Sequence, residues 1–378
     1  MKFLNMNTTT KNPKVACVLW GTLQYRGRLL KQIAALQEAG IDCRLIYGDR
    51  GELTLKREDF NFPIEVIPTS WEGHPMKLFL RQLRFCAKAA NSIASSDATH
   101  ALCFSLQTAL AGVLAKRKRP SLKVIFDSNE LHIEAFIHPI KKRLWSFVQK
   151  YCVPRCDVIM HAEGNRLEYF KKHHDPGERI HFLLENFPYF IPRDEIRTKP
   201  ERPPVRVLYV GVMGEDRFTR EMIDIFRQLA PEYTLDLVGP CPAEFRSELE
   251  AKLVAQSAPN IRILPAIRHN EMANLIQSYH VGIALYRNDN LCNYYCAPNK
   301  VYDYLMNGVA VVANNYPGLL KVLEEGKVGA CVNEIDLDNF RAALGTIVTE
   351  NRWDNISETV RHQYSWEAQN KGYLELFR

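Results

Sequence analysis

Short β-branched runs alternate with longer amphipathic stretches along almost the whole chain. V-A-C-V-L-W (15–20) is a continuous apolar run of the kind buried in parallel sheets, and I-D-C-R-L-I-Y (41–47) begins another strand after Gly40. Similar runs lie at 64–68, 99–104, 122–127, 157–161 and 180–184, with helical periodicity at 28–39, 77–96, 106–118, 139–151 and 164–173. A second array opens with V-R-V-L-Y-V (205–210) and continues near 234–238, 261–264, 281–286, 309–313 and 329–332. Strands alternating with helices predict an α/β protein built from two doubly wound, Rossmann-like domains. The segment between them, P-R-D-E-I-R-T-K-P-E-R-P-P-V (192–205), is rich in proline and charge and reads as a linker. The expected layout is therefore a first domain over 1–191, a linker over 192–204 and a second domain from 205 to 362.

Length and composition agree with that layout. The 378 residues suit two domains of ordinary size, and 46% hydrophobic with 24% charged residues is globular usage. The N-terminal decamer M-K-F-L-N-M-N-T-T-T is too polar for a signal peptide, and no apolar run reaches bilayer-spanning length. Ten cysteines lack framework spacing. The expected location is the cytoplasm, with peripheral attachment at the inner face of a membrane as an addition that charge suggests. Residues 1–200 carry 31 Lys+Arg against 20 Asp+Glu, while the remainder carries 18 against 23. A basic first half beside an acidic second half points the first half toward something anionic. Two stretches there, K-L-F-L-R-Q-L-R-F-C-A-K (77–88) and K-K-R-L-W-S-F-V-Q-K (141–150), interleave basic and bulky apolar residues at helical spacing. That pattern fits a helix on an anionic membrane surface, and equally an amphipathic helix packed on its own sheet.

Candidate chemistry gathers where strands end, the usual ligand side of such sheets. Gly21 follows the first strand, without a dinucleotide G-x-G-x-x-G. In the second array G-V-M-G-E-D-R-F-T-R puts Gly211 and Gly214 ahead of Arg217 and Arg220, a glycine turn able to admit phosphate. The strand V-I-F-D ends in D-S-N-E-L-H, which brings Asn129, Glu130 and His132 together. These residues suit orientation of a hydroxyl or general-base chemistry, and Asp or Asn here also suits helix capping. The densest signal is C-A-P-N-K-V-Y-D-Y-L-M-N-G-V-A-V-V (296–312). Pro298 and Asn299 start a helix, Gly308 ends it, and its open amides favour anions. Lys300 and Asp303 share one face, as a phosphate-and-diol grip or as an ordinary surface pair. C-x₃-C pairs and adjacent histidines make no recognisable metal set, so no metal is expected.

The second half resembles the donor-binding domain of the GT-B glycosyltransferases, most closely the group called glycosyltransferase family 4 or group 1. The resemblance is carried by Pro298, Lys300, Asp303, Gly308 and V-A-V-V, with Y-V-G-V-M-G-E-D-R upstream. In the first half, D-S-N-E-L is similar to the family's Asp-x-His-Glu segment, and L-L-E-N-F-P to its closing strand end. The resemblance implies a GT-B fold, two Rossmann-like domains facing a central cleft, with a C-terminal helix over 363–378 crossing back to the first domain. It implies transfer of a sugar from a UDP- or GDP-linked donor to a glycan or polyprenyl-linked acceptor in polysaccharide or glycolipid synthesis. Retention of configuration, independence of metal and cofactor, and no nucleic-acid partner come with it. Lys300 and Arg217 would neutralise the donor diphosphate and Asp303 would hold the ribose. Gly21, Gly211, Gly214, Asn293, Pro298, Asn299 and Gly318 would complete the donor site. Three positions depart from the family. Tyr295 stands where its first motif glutamate belongs, Asp303 is shorter than its second, and Asn129 replaces a histidine, with His132 nearby as a substitute. A UDP-GlcNAc 2-epimerase-like enzyme and a nucleotide-binding scaffold without turnover are the other readings.

Overall fold

A computed structural model describes residues 13–378, except 24–25, 50–59, 71–73, 136–138, 176, 178, 269–270 and 297–298. The chain divides into two compact units: residues 1–185 with 369–378, and residues 186–368.

The first unit is a seven-stranded sheet in the order β3-β2-β1-β4-β5-β6-β7, parallel throughout. Its strands are β1 (Lys14–Trp20), β2 (Asp42–Asp49), β3 (Ile64–Pro68), β4 (His100–Phe104), β5 (Lys123–Ser128), β6 (Val158–His161) and β7 (Ile180–Leu183). Helices α1 (Gly27–Glu38), α2 (Pro75–Ala94), α3 (Leu106–Lys118), α4 (Pro139–Cys152) and α5 (Gly164–His174) connect them. Every residue from Val15 to Trp20 is buried, as a central parallel strand covered on both faces requires. Gly112 lets α3 lie close on the sheet, since a Cβ there would stand 2.6 Å from the Cys103 sulfur. Beneath the sheet end, buried Arg28 donates to both carboxylate oxygens of Asp127 (2.9 and 3.0 Å), and Gln32 donates to the same group at 2.7 Å. A charge pair this deep is tolerable because its hydrogen-bonding groups are so densely partnered.

The second unit is a six-stranded parallel sheet in the order β10-β9-β8-β11-β12-β13. These strands are β8 (Val205–Val210), β9 (Tyr233–Val238), β10 (Ile261–Leu264), β11 (Val281–Ala284), β12 (Ala310–Asn314) and β13 (Gly329–Val332). Its helices are α6 (Thr219–Arg227), α7 (Ala243–Ala255), α8 (Met272–Ile276), α9 (Leu291–Tyr294), α10 (Asn299–Met306), α11 (Pro317–Leu320), α12 (Leu337–Thr349) and α13 (Glu358–Gln363). α14 (Trp366–Glu375) begins in this unit, and from Gln369 onward it belongs to the first.

Two details differ from the sequence expectations. The stretch expected as a linker, 192–204, is tied onto the second unit. Arg197 N–H donates to Gln277 Oε1 (3.2 Å), Lys199 donates to the Tyr279 carbonyl (2.9 Å) and Arg202 to Asn351 (2.8 Å). Long polar side chains do this work where apolar residues are few, which composition alone does not show. The expected helix over 363–378 is present as the shorter α14, which starts only at Trp366 because the backbone turns at Tyr364 and Ser365 after α13 ends at Gln363. Ser365 Oγ accepts the Ala368 N–H at 3.3 Å and caps the new helix.

Candidate functional site

In the second unit α10 lies on the sheet through one contact of unusual closeness. Gly282 on β11 carries no side chain, and a Cβ there would come within 2.4 Å of the Tyr304 ring. The Tyr304 hydroxyl accepts from Val210 N–H (2.9 Å) and donates to the Leu208 carbonyl (3.2 Å), which pins the helix to the end of β8. Gly308, at φ +68°, follows the helix in the left-handed conformation, and the Val309 N–H returns to the Tyr304 carbonyl at 2.9 Å. The first helical residue is also held, since Asn186 donates to Asn299 Oδ1 at 2.7 Å. Pro298 lies outside the described residues.

This anchoring sends Lys300 back over the strand ends. Its ammonium nitrogen is 4.4 Å from the centroid of the Tyr209 ring and 5.3 Å from that of Tyr286. It also rests on Gly211, where a Cβ would be 3.0 Å from that nitrogen. At φ +147° the Gly211 backbone favours glycine in any case. Arg217 approaches the same ring, with its guanidinium 4.4 Å from the Tyr286 centroid and 2.8 Å from Asp216. Two cations thus flank one aromatic ring at the mouth of a glycine turn. Gly214 and Thr219 close that turn: Gly214 N–H donates to Thr219 Oγ1 at 3.0 Å. Arg220 is engaged by Glu248 (2.6 and 2.7 Å) and Glu215 (2.6 Å). Asp303, half-buried, stands one turn beyond Lys300 on the same helix.

The stretch around Asn293 is helical. It forms the short helix α9, capped by Asn290, whose side chain accepts the Asn293 N–H at 3.0 Å. The Asn293 amide donates to Asp289 at 2.7 Å. Tyr295 packs on Tyr294 (centroids 5.0 Å apart), which packs on Tyr316 (5.5 Å). Tyr316 in turn donates to the Tyr286 carbonyl at 2.6 Å. Tyr295 therefore ends a tyrosine chain, and Gly318 follows in α11 just after Pro317. Tyr209, Tyr286 and Tyr316 escaped the sequence reading. Tyr209 and Tyr286 had a legible signal, since each lies near the carboxyl end of a predicted strand.

In the first unit, Gly21 repeats the geometry of Gly211. Its φ is +145°, and a cation lies over it, with Arg26 Nη2 3.2 Å from where a Cβ would stand. The loop after β5 is held from below: Arg166 donates to the Asn129 carbonyl at 2.9 Å, so Asn129 is placed by its backbone. Glu130 is exposed. His132 is wedged between Gln107 and Trp145, 6.0 Å from the Trp145 centroid. Burial, with Arg26 adding to it, pushes its imidazole down to about 4. A histidine in that state is a poor proton acceptor near neutral pH, which assigns it to packing more readily than to base chemistry.

Lys300 is the group most altered by its surroundings. The side chain is only partly covered overall, but its amine end sits among Tyr209, Tyr286 and Gly211. Burial first, and Arg217 second, lower it to about 7, against weaker upward pulls from Asp216 and Cys296. The folded group therefore binds fewer protons than the unfolded one between about pH 7 and 10.5, so by itself it makes stability rise with pH across that window. An arriving anion restores the charge. Diphosphate binding at pH 8 is expected to draw a proton onto Lys300, and affinity to fall by up to about tenfold per pH unit above 7. Calorimetry in two buffers of different ionisation enthalpy checks this; equal heats in both would contradict it.

Residues 204–350 match the family model of the group 1 glycosyl transferases. No curated protein matches the sequence. Solved structures share the fold over nearly their whole length. Sucrose-phosphate synthase from Thermosynechococcus elongatus superposes with a TM-score of 0.72 at 15% identity, covering 97% of this chain and 98% of that one. The lipopolysaccharide outer core galactosyltransferase WaaB, in its apo form, gives 0.72 at 14% identity, covering 96% and 99%. Anabaena HepE, in complex with UDP and glucose, gives 0.72 at 13% identity, covering 97% and 99%.

Proposed function

We propose that this chain, a glycosyltransferase of GT-B fold with a group 1 domain at residues 204–350, takes its sugar from a UDP-linked donor held by the second unit. The observation that carries the reading is the convergence of Lys300 and Arg217 on the Tyr286 ring, above the open backbone of Gly211. A sugar leaving a nucleoside diphosphate builds negative charge on the departing oxygen. Two cations and the amino end of α10 stabilise that charge where it develops, and a lysine and an arginine do so without a divalent metal. Asp303, one turn along, then accepts from the ribose hydroxyls. UDP is favoured over GDP because HepE and a trehalose-6-phosphate protein from E. coli share this fold in complexes that contain UDP or a UDP-sugar. The acceptor in this reading is a glycan or polyprenyl-linked intermediate of polysaccharide or glycolipid synthesis, and it engages the basic first unit.

A thermal-shift screen against UDP, GDP, ADP, CMP and dTDP tests the donor. A nucleotide at a hundred times its dissociation constant stabilises by about 2.7 kcal/mol. UDP is expected to give the largest shift, and activity is expected to survive chelation by EDTA. A shift with GDP alone would replace the base and keep the site, whereas no shift with any nucleotide would remove the donor reading.

A further inference from the structure

The first unit carries a surface that donor binding does not use. α2 and α4 together hold eight Lys or Arg residues and no Asp or Glu. They meet where Phe79 packs edge-on to Trp145, with centroids 5.4 Å apart. Their outward residues are not purely polar. Phe147 is 74% exposed, Ile140 58%, Leu80 49% and Met76 42%, four large apolar side chains standing in water on two adjoining helices. On α4 the sequence Ile140, Arg143, Phe147, Lys150 advances by three, four and three residues, which is one helical stripe. On α2, Met76, Leu80 and Arg84 advance by four. The carboxylate of Glu134 faces Lys142 at 2.9 Å and His174 at 3.6 Å, and leaves Arg143 and Lys150 on the stripe.

From this we infer that the α2–α4 surface docks on an anionic lipid bilayer. Basic side chains interleaved with protruding apolar ones fit headgroup phosphates lying over acyl chains. A nucleic acid matches the charge and can stack a base on Phe147, but it offers no partner for the exposed aliphatic Ile140, Leu80 and Met76. Among the described residues no helix is long and apolar enough to cross a membrane, so the helices lie on the surface. The inference deepens the reading of a polyprenyl-linked acceptor, yet the surface and the donor site can fail separately.

The full chain is sedimented with vesicles of phosphatidylglycerol and phosphatidylcholine in equal parts, and with phosphatidylcholine alone. Binding is expected to the anionic vesicles and to weaken as salt rises. Arg84→Ala and Arg143→Ala are each expected to lower it about fivefold, and Ile140→Ser with Phe147→Ser together about tenfold. UDP binding by the same variants serves as the check that they fold. Equal partition to neutral vesicles overturns the inference, and so does wild-type partition by the variants. If vesicles fail while UDP still binds, the surface is lost and the donor site stands; the reverse result loses the donor reading alone.

Discussion

Lys300→Met is expected to weaken UDP binding by at least about 100-fold while leaving the protein as stable as wild type or more so. The affinity loss follows from removing one partner of a desolvated charge pair, which costs about 3 kcal/mol or more. The stability gain follows from the cost of holding an amine against Tyr209 and Gly211 with Arg217 close by, a cost visible in a pKa lowered to about 7. Methionine keeps the stem and removes the charge. At pH 7 or below, a rise of about 2–4 °C in melting temperature corresponds to about 1 kcal/mol. Opposed signs in binding and stability mark a residue kept for its ligand. Titration calorimetry and calorimetric unfolding of the same preparation supply both numbers. A Lys300→Met protein that binds UDP like wild type removes the lysine from the site, and one that unfolds several degrees earlier removes the strain argument.

The second large effect sits a strand away. Gly282→Ala is expected to cost about 3 kcal/mol in stability and to lower UDP affinity along with it. A methyl group there has nowhere to go, since Tyr304 ring atoms stand 2.4–2.5 Å from its position. Tyr304 cannot retreat without giving up its hydrogen bonds to Leu208 and Val210 at the end of β8. The helix must lift, carrying Lys300 away from Tyr209 and Gly211. Tyr304→Phe separates the two causes, because it keeps the packing and loses the hydrogen bonds, so it should cost only about 1 kcal/mol. Denaturant unfolding monitored with and without UDP checks both substitutions. A Gly282→Ala protein of wild-type stability would show that α10 is not fixed on the sheet through this contact.

Much of this was legible in the sequence because parallel strands advertise themselves. V-A-C-V-L-W is apolar without interruption and V-R-V-L-Y-V is broken only by Arg206, and each became a largely buried strand near the expected bounds. The helix from Asn299 was legible for a local reason as well, with Gly308 in the left-handed conformation that ends it. What escaped depends on contacts distant in sequence. That Tyr209 and Tyr286 form the rings under Lys300 requires two strands to lie side by side. The linker expected at 192–204 belongs to the second unit because Gln277, Tyr279 and Asn351 receive its polar groups. Nothing in spacing announces that His132 is packed under Trp145, and a histidine beside Asn129 and Glu130 looks catalytic until its surroundings are known.

The central claim is that Lys300 and Arg217 grip a nucleoside diphosphate above Gly211. A crystal structure of the chain with UDP tests it most directly. The account predicts phosphate oxygens within hydrogen-bond reach of Lys300 Nζ and the Arg217 guanidinium, with Asp303 accepting from the ribose hydroxyls. UDP seated away from both cations, or bound at the Gly21 loop of the first unit, would contradict it.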